Sequence, residues 1–240
     1  MIDYQLQAKH WLMLVLLGLT MLLASINPME FSAYVLHQVG TVIMLIVLLL
    51  LFKKVGLSFS SFVFYLIFLL IHILGAHYLY SYVPYNDWLL QYFGFDLNQW
   101  LGWERNMYDR CVHFAYGVLL YPLFFRLHRL CFPKAKDLVI FLLVVQWVMS
   151  SSLIYEWLEW LLAVTLSPEA AENYNGQQGD VWDAHKDMLL ATLGAILAGS
   201  WNLYKDRKKS TRLSAFSCFM SKIGLELRIA HLHQVGTGFA

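Results

Sequence analysis

Six stretches of this chain are apolar over about the length a helix needs to cross a bilayer, and polar or helix-breaking residues part them. They run approximately over residues 9–26, 33–52, 57–82, 107–126, 138–164 and 184–204. A hydrocarbon core of about 30 Å takes roughly 20 helical residues, so each stretch predicts one spanning helix. Asn27 and Pro28 end the first, Lys53 to Gly56 the second, and Pro84 the third. The first, from Trp11 to Ile26, is too long for the apolar region of a signal peptide. No small-x-small cleavage site follows it before Asn27, so it is expected to be retained. The fold class expected is all-α, a polytopic membrane helix bundle of about six transmembrane helices.

Composition agrees. The chain is 59% hydrophobic and 14% charged, against about 45–50% and about 25% in an average soluble domain. Aromatic residues make up 16% of it, and many fall at span ends, where amphipathic rings favour the headgroup region. Positive charges flank alternate connections: Lys9, then Lys53 and Lys54, then Arg126, Arg129, Lys134 and Lys136, then Lys205, Arg207, Lys208, Lys209 and Arg212. The opposite connections hold only Arg105, Arg110 and Lys186, and residues 167–183 contain acidic residues but no Lys or Arg. Because basic connections stay in the cytoplasm, both termini are expected there. This divides the chain into a transmembrane domain, residues 1–204, and a basic cytoplasmic tail, residues 205–240, poorly ordered or lying on the membrane surface. The tail holds an amphiphilic run from Ile223 to Leu232, and His231 and His233 read as solvated positions. Cys111, Cys131 and Cys218 show no CxxC spacing and are expected to pack as apolar residues. No nucleic-acid motif, internal repeat or soluble second domain is present, and orientation accounts for the basic connections.

Five carboxylates stand against this apolar background: Asp109, Glu156, Glu159, Asp183 and Asp187. An ionisable group at membrane depth costs roughly 2.5–3.5 kcal/mol and is usually paired, wetted or functional. With the expected orientation, all five lie just beneath the outer surface, as do His72, His77 and His113. Asp109 and His113 are four apart, Glu156 and Glu159 three apart, and Asp183 and Asp187 four apart, so each pair shares one helix face. Gly117, Ala191, Gly194 and Ala198 continue two of these faces and permit close helix approach. His72, beside Gly75 and Ala76, is favoured over His77 as the inward-facing histidine. Plainer roles compete. Asn106, Asp109, Asp180 and Asp183 suit helix N-termini, and Arg105, Arg110 and Lys186 could neutralise some carboxylates. His37 and Gln38 read as hydrogen-bonded core residues, His10 and His128 as interface residues.

At Asp109-Arg-Cys-Val-His113-Phe-Ala-Tyr-Gly117, Tyr155-Glu156-Trp-Leu-Glu159-Trp160 and the segment from Gly176 through Asp180 and Asp183 to Asp187, the chain resembles the YjdF family of bacterial inner-membrane proteins. The likeness extends over the six spans, with residues 72–84 as a further block, and it implies a multi-pass protein of the bacterial cell inner membrane. A second likeness, to VanZ-like membrane proteins, rests on Asp109 to His113, Glu156 to Glu159, and Asp187 to Gly194. There Arg110 stands for Lys, Glu159 for Gln and Ala191 for Asn. It implies a common layout of the polar groups.

Three functional readings stay open at this point, and whether the protein is an enzyme is one of them. In the first, a divalent metal such as Mg, Mn or Zn is held by Asp109, Glu156, Asp183, Asp187 and His72. His113 or Glu159 then acts as general base on a lipid-linked or envelope substrate. The second reading is a proton-linked transporter, and the third a structural or partner-binding membrane protein with a buried polar network. Apart from that metal, no cofactor is implied. The lipid bilayer is the one partner indicated; protein partners and oligomeric state are left open.

Overall fold

A computed structural model describes residues 2–208, and contacts divide the chain into two units, Met1–Ala198 and Gly199–Ala240. In the second unit residues 199–208 are helical. Cys218, the run 223–232, His231 and His233 lie outside the described residues.

The first unit begins with β1 (Ile2–Asp3), α1 (Ala8–Ala24), α2 (Phe31–Val55), β2 (Leu57–Ser58) and α3 (Phe59–His77). Then come α4 (Tyr85–Phe93), α5 (Leu97–Leu101), α6 (Tyr108–Cys131), α7 (Asp137–Thr165) and α8 (Pro168–Asn175). The last helix of the unit, α9, covers residues 183–198. A long helix stands at each of the six apolar stretches, and the described residues are helical apart from connections and the two-residue pairing of β1 with β2. Helices α2, α3 and α7 are long and apolar enough to cross a membrane, while α1 is apolar but shorter. Helices α6 and α9 are more heavily charged: Asp109, Arg110, Arg126 and Arg129 in one, Asp183, Lys186 and Asp187 in the other. The short helices α4, α5 and α8 fall in connections where periodicity predicts no element, because they are too brief to register against the spans beside them.

Helix α3 is central. It packs against α1, α2 and α6, and α6 in turn packs on α7. Half of its most apolar window, 50%, is buried, against 22% in α2 and in α7, so those two helices turn most of their Leu, Ile and Val outward, as lipid-facing helices do. The interior between them holds Phe62, Leu69, Ile73, Leu120, Ile140 and Val144.

Three local devices set helix ends. Arg126 donates to the carbonyls of Val55 at 2.6 Å and Gly56 at 2.7 Å, closing the end of α2. At the start of α1 the Gln7 N–H donates to His10 Nδ1 at 3.0 Å, which turns the ring inward among Phe52, Phe59 and Phe62. His10 is therefore fully buried rather than interfacial as its position beside a span end suggested. At the other end of α2, Glu30 caps the helix by accepting from Ser32 N–H at 3.0 Å and Ala33 N–H at 2.5 Å. Those bonds, Ala33 first, hold its carboxyl below the usual glutamate range. Replacing Glu30 with Ala is expected to cost about 1 kcal/mol. Because the folded carboxyl is the stronger acid, the cap contributes above the ordinary glutamate pKa and is lost as pH falls through the lower folded value. Thermal melts of wild type and Glu30→Ala should therefore converge in acid.

Candidate functional site

The C-terminal halves of α3 and α7 and the N-terminal turns of α6 and α9 supply the polar groups. A residue four positions on from another projects from the same helix face, and α6 uses this to present Asp109 and His113 together. Both are buried, as are Glu156 in α7 and Asp183 and Asp187 in α9. Single ligand atoms of Asp109, His113 and Asp187 all lie within 4.8 Å of one another. His113 Nε2 is 3.7 Å from Asp109 Oδ1 and 4.0 Å from Glu156 Oε1. Glu159, one turn beyond Glu156, lies against the Glu156 carboxyl and near Tyr155, Tyr174 and Tyr80.

Close helix approach makes the cluster possible. A Cβ built on Gly117 of α6 would strike the Ala191 carbonyl oxygen and lie 2.7 Å from Ala195 N, both in α9. One on Gly194 would strike the Phe114 carbonyl oxygen in return. Backbone thus rests on backbone one to two turns below the charged residues, and that separation brings Asp187 against Asp109 and His113.

Asp183 sits outside the three-residue group. It accepts from Arg105 Nη1 at 2.7 Å and from Arg110 Nη2 at 3.3 Å. Asp180 also accepts from Arg110, and from Lys186 Nζ at 2.6 Å. It caps the approach to α9 through Trp182 N–H at 3.0 Å. Arg105 also donates to the Gln177 carbonyl at 3.0 Å, and Gln178 exchanges two hydrogen bonds of 3.1 Å with the Asn106 backbone. The connection after α8 is thereby laced onto the segment entering α6. Asp180 and Asp183 take up the three nearby cations, and among the described residues no Lys or Arg nitrogen comes within 4.0 Å of a carboxyl oxygen of Asp109, Glu156, Glu159 or Asp187. Glu156 Oε1 and Asp187 Oδ1 are buried without a hydrogen-bond partner among the described residues.

Asp180 is the acid-sensitive member of the lacing. The Lys186 ammonium, then the Trp182 N–H and Arg110, hold its carboxyl well below the usual aspartate range. A group depressed in the folded state stabilises above the unfolded aspartate pKa of about 3.9 and loses that contribution as pH falls through the folded value. Asp180→Asn should lower the melting temperature at neutral pH, and the gap to wild type should close below about pH 4. A gap independent of pH would count against the ion pair.

His72 belongs to a neighbouring group. Its Nε2–H donates to the His37 carbonyl at 3.2 Å, and its Nδ1 accepts from the Tyr80 hydroxyl. Tyr80 gets there by a tight turn in which Leu79 and Tyr80 adopt φ of 51° and 55°, the left-handed region that costs a branched or bulky residue about 1 kcal/mol or more. Gly75 leaves the space, since a Cβ there would lie 2.8 Å from the Tyr80 ring. His37 differs from the hydrogen-bonded role its sequence context suggested. Its ring stacks on Tyr174 at 4.3 Å and 6°, and neither ring nitrogen has a partner among the described residues. The fold thus brings Asp109, His113, Glu156, Glu159 and Asp187 together, with Asp183 and His72 beside them in separate hydrogen-bonded groups. Tyr80, Tyr155 and Tyr174 were not singled out in the sequence. Only Tyr155, next to Glu156, carried a signal, whereas Tyr80 and Tyr174 arrive through a turn and through α8. Cys111 and Cys131 are free thiols at the surface.

The family described as "Predicted membrane protein (DUF2238)" matches residues 9–208, an interval that includes every polar group just described. The chain belongs to that family. A curated relative, the inner membrane protein YjdF of Escherichia coli (strain K12), is 34% identical over 160 residues, which cover 65% of this chain and 71% of the relative. No solved structure matches. With apolar helices of spanning length and this kinship, the protein is an integral protein of the bacterial inner membrane, and the bilayer is the environment its outward-facing side chains meet.

Proposed function

We propose that this DUF2238 member holds one divalent cation on Asp109, His113 and Asp187, in a bundle of six crossings with both termini and the basic tail 205–240 in the cytoplasm. The cluster then lies just beneath the outer surface and serves metal-assisted attack on a phosphoryl or carbonyl group of a lipid-linked or envelope substrate. The observation that carries this reading is a set of four carboxyls, those of Asp109, Glu156 and Asp187 buried and that of Glu159 partly so, around one buried imidazole, with no Lys or Arg nitrogen in contact among the described residues. Such a set requires protons or a cation, and the chemistry of its donors, hard oxygens with one imidazole, suits Mg, Mn or Zn.

Distances support it. Ligand atoms about 2.0–2.1 Å from Zn or Mg stand about 3–4 Å apart, and those of the larger Ca ion up to about 5 Å. The three atoms, all within 4.8 Å of one another, would have to draw closer for the smaller ions. Glu156, 4.0 Å from His113, is positioned as a fourth ligand or as the acceptor that orients the imidazole. Glu159, against Glu156 and outside the three-residue group, is the candidate general base. Asp183 holds Arg105 and Arg110 beside the centre, and His72 holds Tyr80.

Protein purified without chelator and analysed for elements should carry about one divalent ion per chain. Chelated protein should regain one equivalent of Mn or Zn in a calorimetric titration. A folded protein that arrives metal-free and takes up neither ion overturns the proposal.

A further inference from the structure

The connection between α3 and α6 is a separate surface. Helices α4 and α5 form a compact hairpin held by its own polar groups. Asn86 Nδ2 donates to Asp96 at 3.2 Å, Asn86 Oδ1 accepts from Asn98 N–H at 3.0 Å, and the Tyr85 hydroxyl donates to Asn98 Oδ1 at 2.9 Å. Asp96 caps α5 through Gln99 N–H at 2.9 Å, and Gly94 and Gly102 end the two helices in left-handed conformation. With Tyr85, Asn86, Asp96 and Asn98 spent on these internal bonds, the hairpin presents Leu90, Tyr92, Phe93, Phe95, Trp100 and Leu101 outward. Tyr92 is 72%, Phe93 78% and Trp100 71% exposed, values that in water describe a sticky patch rather than a stable loop.

Both ends of the hairpin are anchored at helix ends. Seven residues, 78–84, separate it from α3, and the tight turn at Leu79 and Tyr80 shortens their reach. Its Tyr85 hydroxyl accepts from Met107 N–H, the residue before α6, at 3.0 Å, and the Asn106 side chain donates to the Val83 carbonyl at 2.8 Å. The hairpin therefore sits at the level where α3, an apolar helix of spanning length, leaves the membrane. Along α4, at 100° per residue, Asp87 and Gln91 fall on one arc, and Leu90, Tyr92 and Phe93 on the remainder. No Lys or Arg occurs between residues 78 and 104.

We propose that the α4–α5 hairpin is an interfacial foot whose aromatic side is seated in the headgroup and acyl boundary of the leaflet beside the carboxyl cluster, with Asp87 and Gln91 facing water. Tyr and Trp rings with one polar atom are the side chains that this boundary favours, and a short helix with opposed polar and apolar arcs lies in its plane. A water-facing protein partner would have to cover an apolar surface that already stands at the bilayer's edge. The inference rests on the membrane location alone and is independent of any metal in the cluster.

Spin labels at Phe93→Cys, Trp100→Cys and, as reference, Asp87→Cys, in a cysteine-free background reconstituted into phosphatidylethanolamine and phosphatidylglycerol liposomes, test it by power saturation. Labels at 93 and 100 should show an oxygen-to-nickel-chelate accessibility ratio severalfold above that at 87. Equal, nickel-dominated values at all three positions overturn the proposal. So do labels that are shielded in native vesicles yet nickel-accessible in liposomes, because a protein then covers the patch. Should a labelled variant fail to fold, the difference in tryptophan quenching by brominated lipid between wild type and Trp100→Phe gives the same answer. A loss of quenching is expected, and no change overturns the assignment. Metal content of the liposomes, measured alongside, reports on the cluster separately.

Discussion

Asp187→Asn is expected to abolish divalent-ion binding while leaving the metal-free protein at least as stable as wild type. The carboxylate would supply one of three ligands, and since disturbing even a residue behind the ligands costs 10–100-fold in affinity, its loss should exceed that. In the metal-free cluster, however, Asp187 adds a fourth carboxyl to a site that no Lys or Arg touches among the described residues. Its Oδ1 has no hydrogen-bond partner among the described residues, and replacing it by an isosteric amide relieves like-charge repulsion. Wild type should gain about 2.7 kcal/mol at a metal concentration one hundred times its dissociation constant, and the variant nothing. Melting curves with and without Mn or Zn read both quantities. If the group were a purely structural network, Asp187→Asn would lower the melting temperature with or without metal, and that result would remove the site.

Gly117→Val should prevent assembly of the site altogether, and Gly117→Ala should already damage it. A helix interior normally prefers Ala to Gly by about 1 kcal/mol. Here that gain is outweighed, because the new methyl meets the Ala191 carbonyl and Ala195 N, backbone atoms that cannot swing aside. Overpacking of this kind costs about 1–3 kcal/mol and forces the elements apart. A separation of about 1 Å between α6 and α9 would spoil ligand geometry, which has to be held to about 0.5 Å. The alanine variant should keep its helix content by circular dichroism but melt earlier and bind metal at least tenfold more weakly; the valine variant should not accumulate in the membrane. Gly194→Ala, striking the Phe114 carbonyl from the other side, should behave like Gly117→Ala.

Much of this site was legible in advance because helix periodicity is a local property. Spacings of three and four predict that Asp109 and His113 share a face, and the small residues Gly117, Ala191 and Gly194 on the continuing faces predict the contact that α6 and α9 make. The partition among the polar groups was not legible. Asp183 and Asp187 are equivalent by spacing, yet the first is drawn off by Arg105, before α6, and Arg110, in its first turn, both more than seventy positions away. Nor could spacing show that His72 is engaged at both nitrogens, since Tyr80 meets it only through two left-handed residues and the space above Gly75.

By itself the sequence determined the apolar helices and their approximate limits, the membrane as their solvent, and the choice of residue types that could bind a cation. Hydrophobic length and i, i+4 spacing act within a single helix, so these needed no tertiary information. Which carboxyls stand free of cations, which tyrosines lie over them, and where the aromatic hairpin comes to rest were decided only in three dimensions. Those outcomes depend on contacts between residues far apart in the chain, and a difference of one side-chain length decides whether an aspartate meets an arginine or another carboxyl.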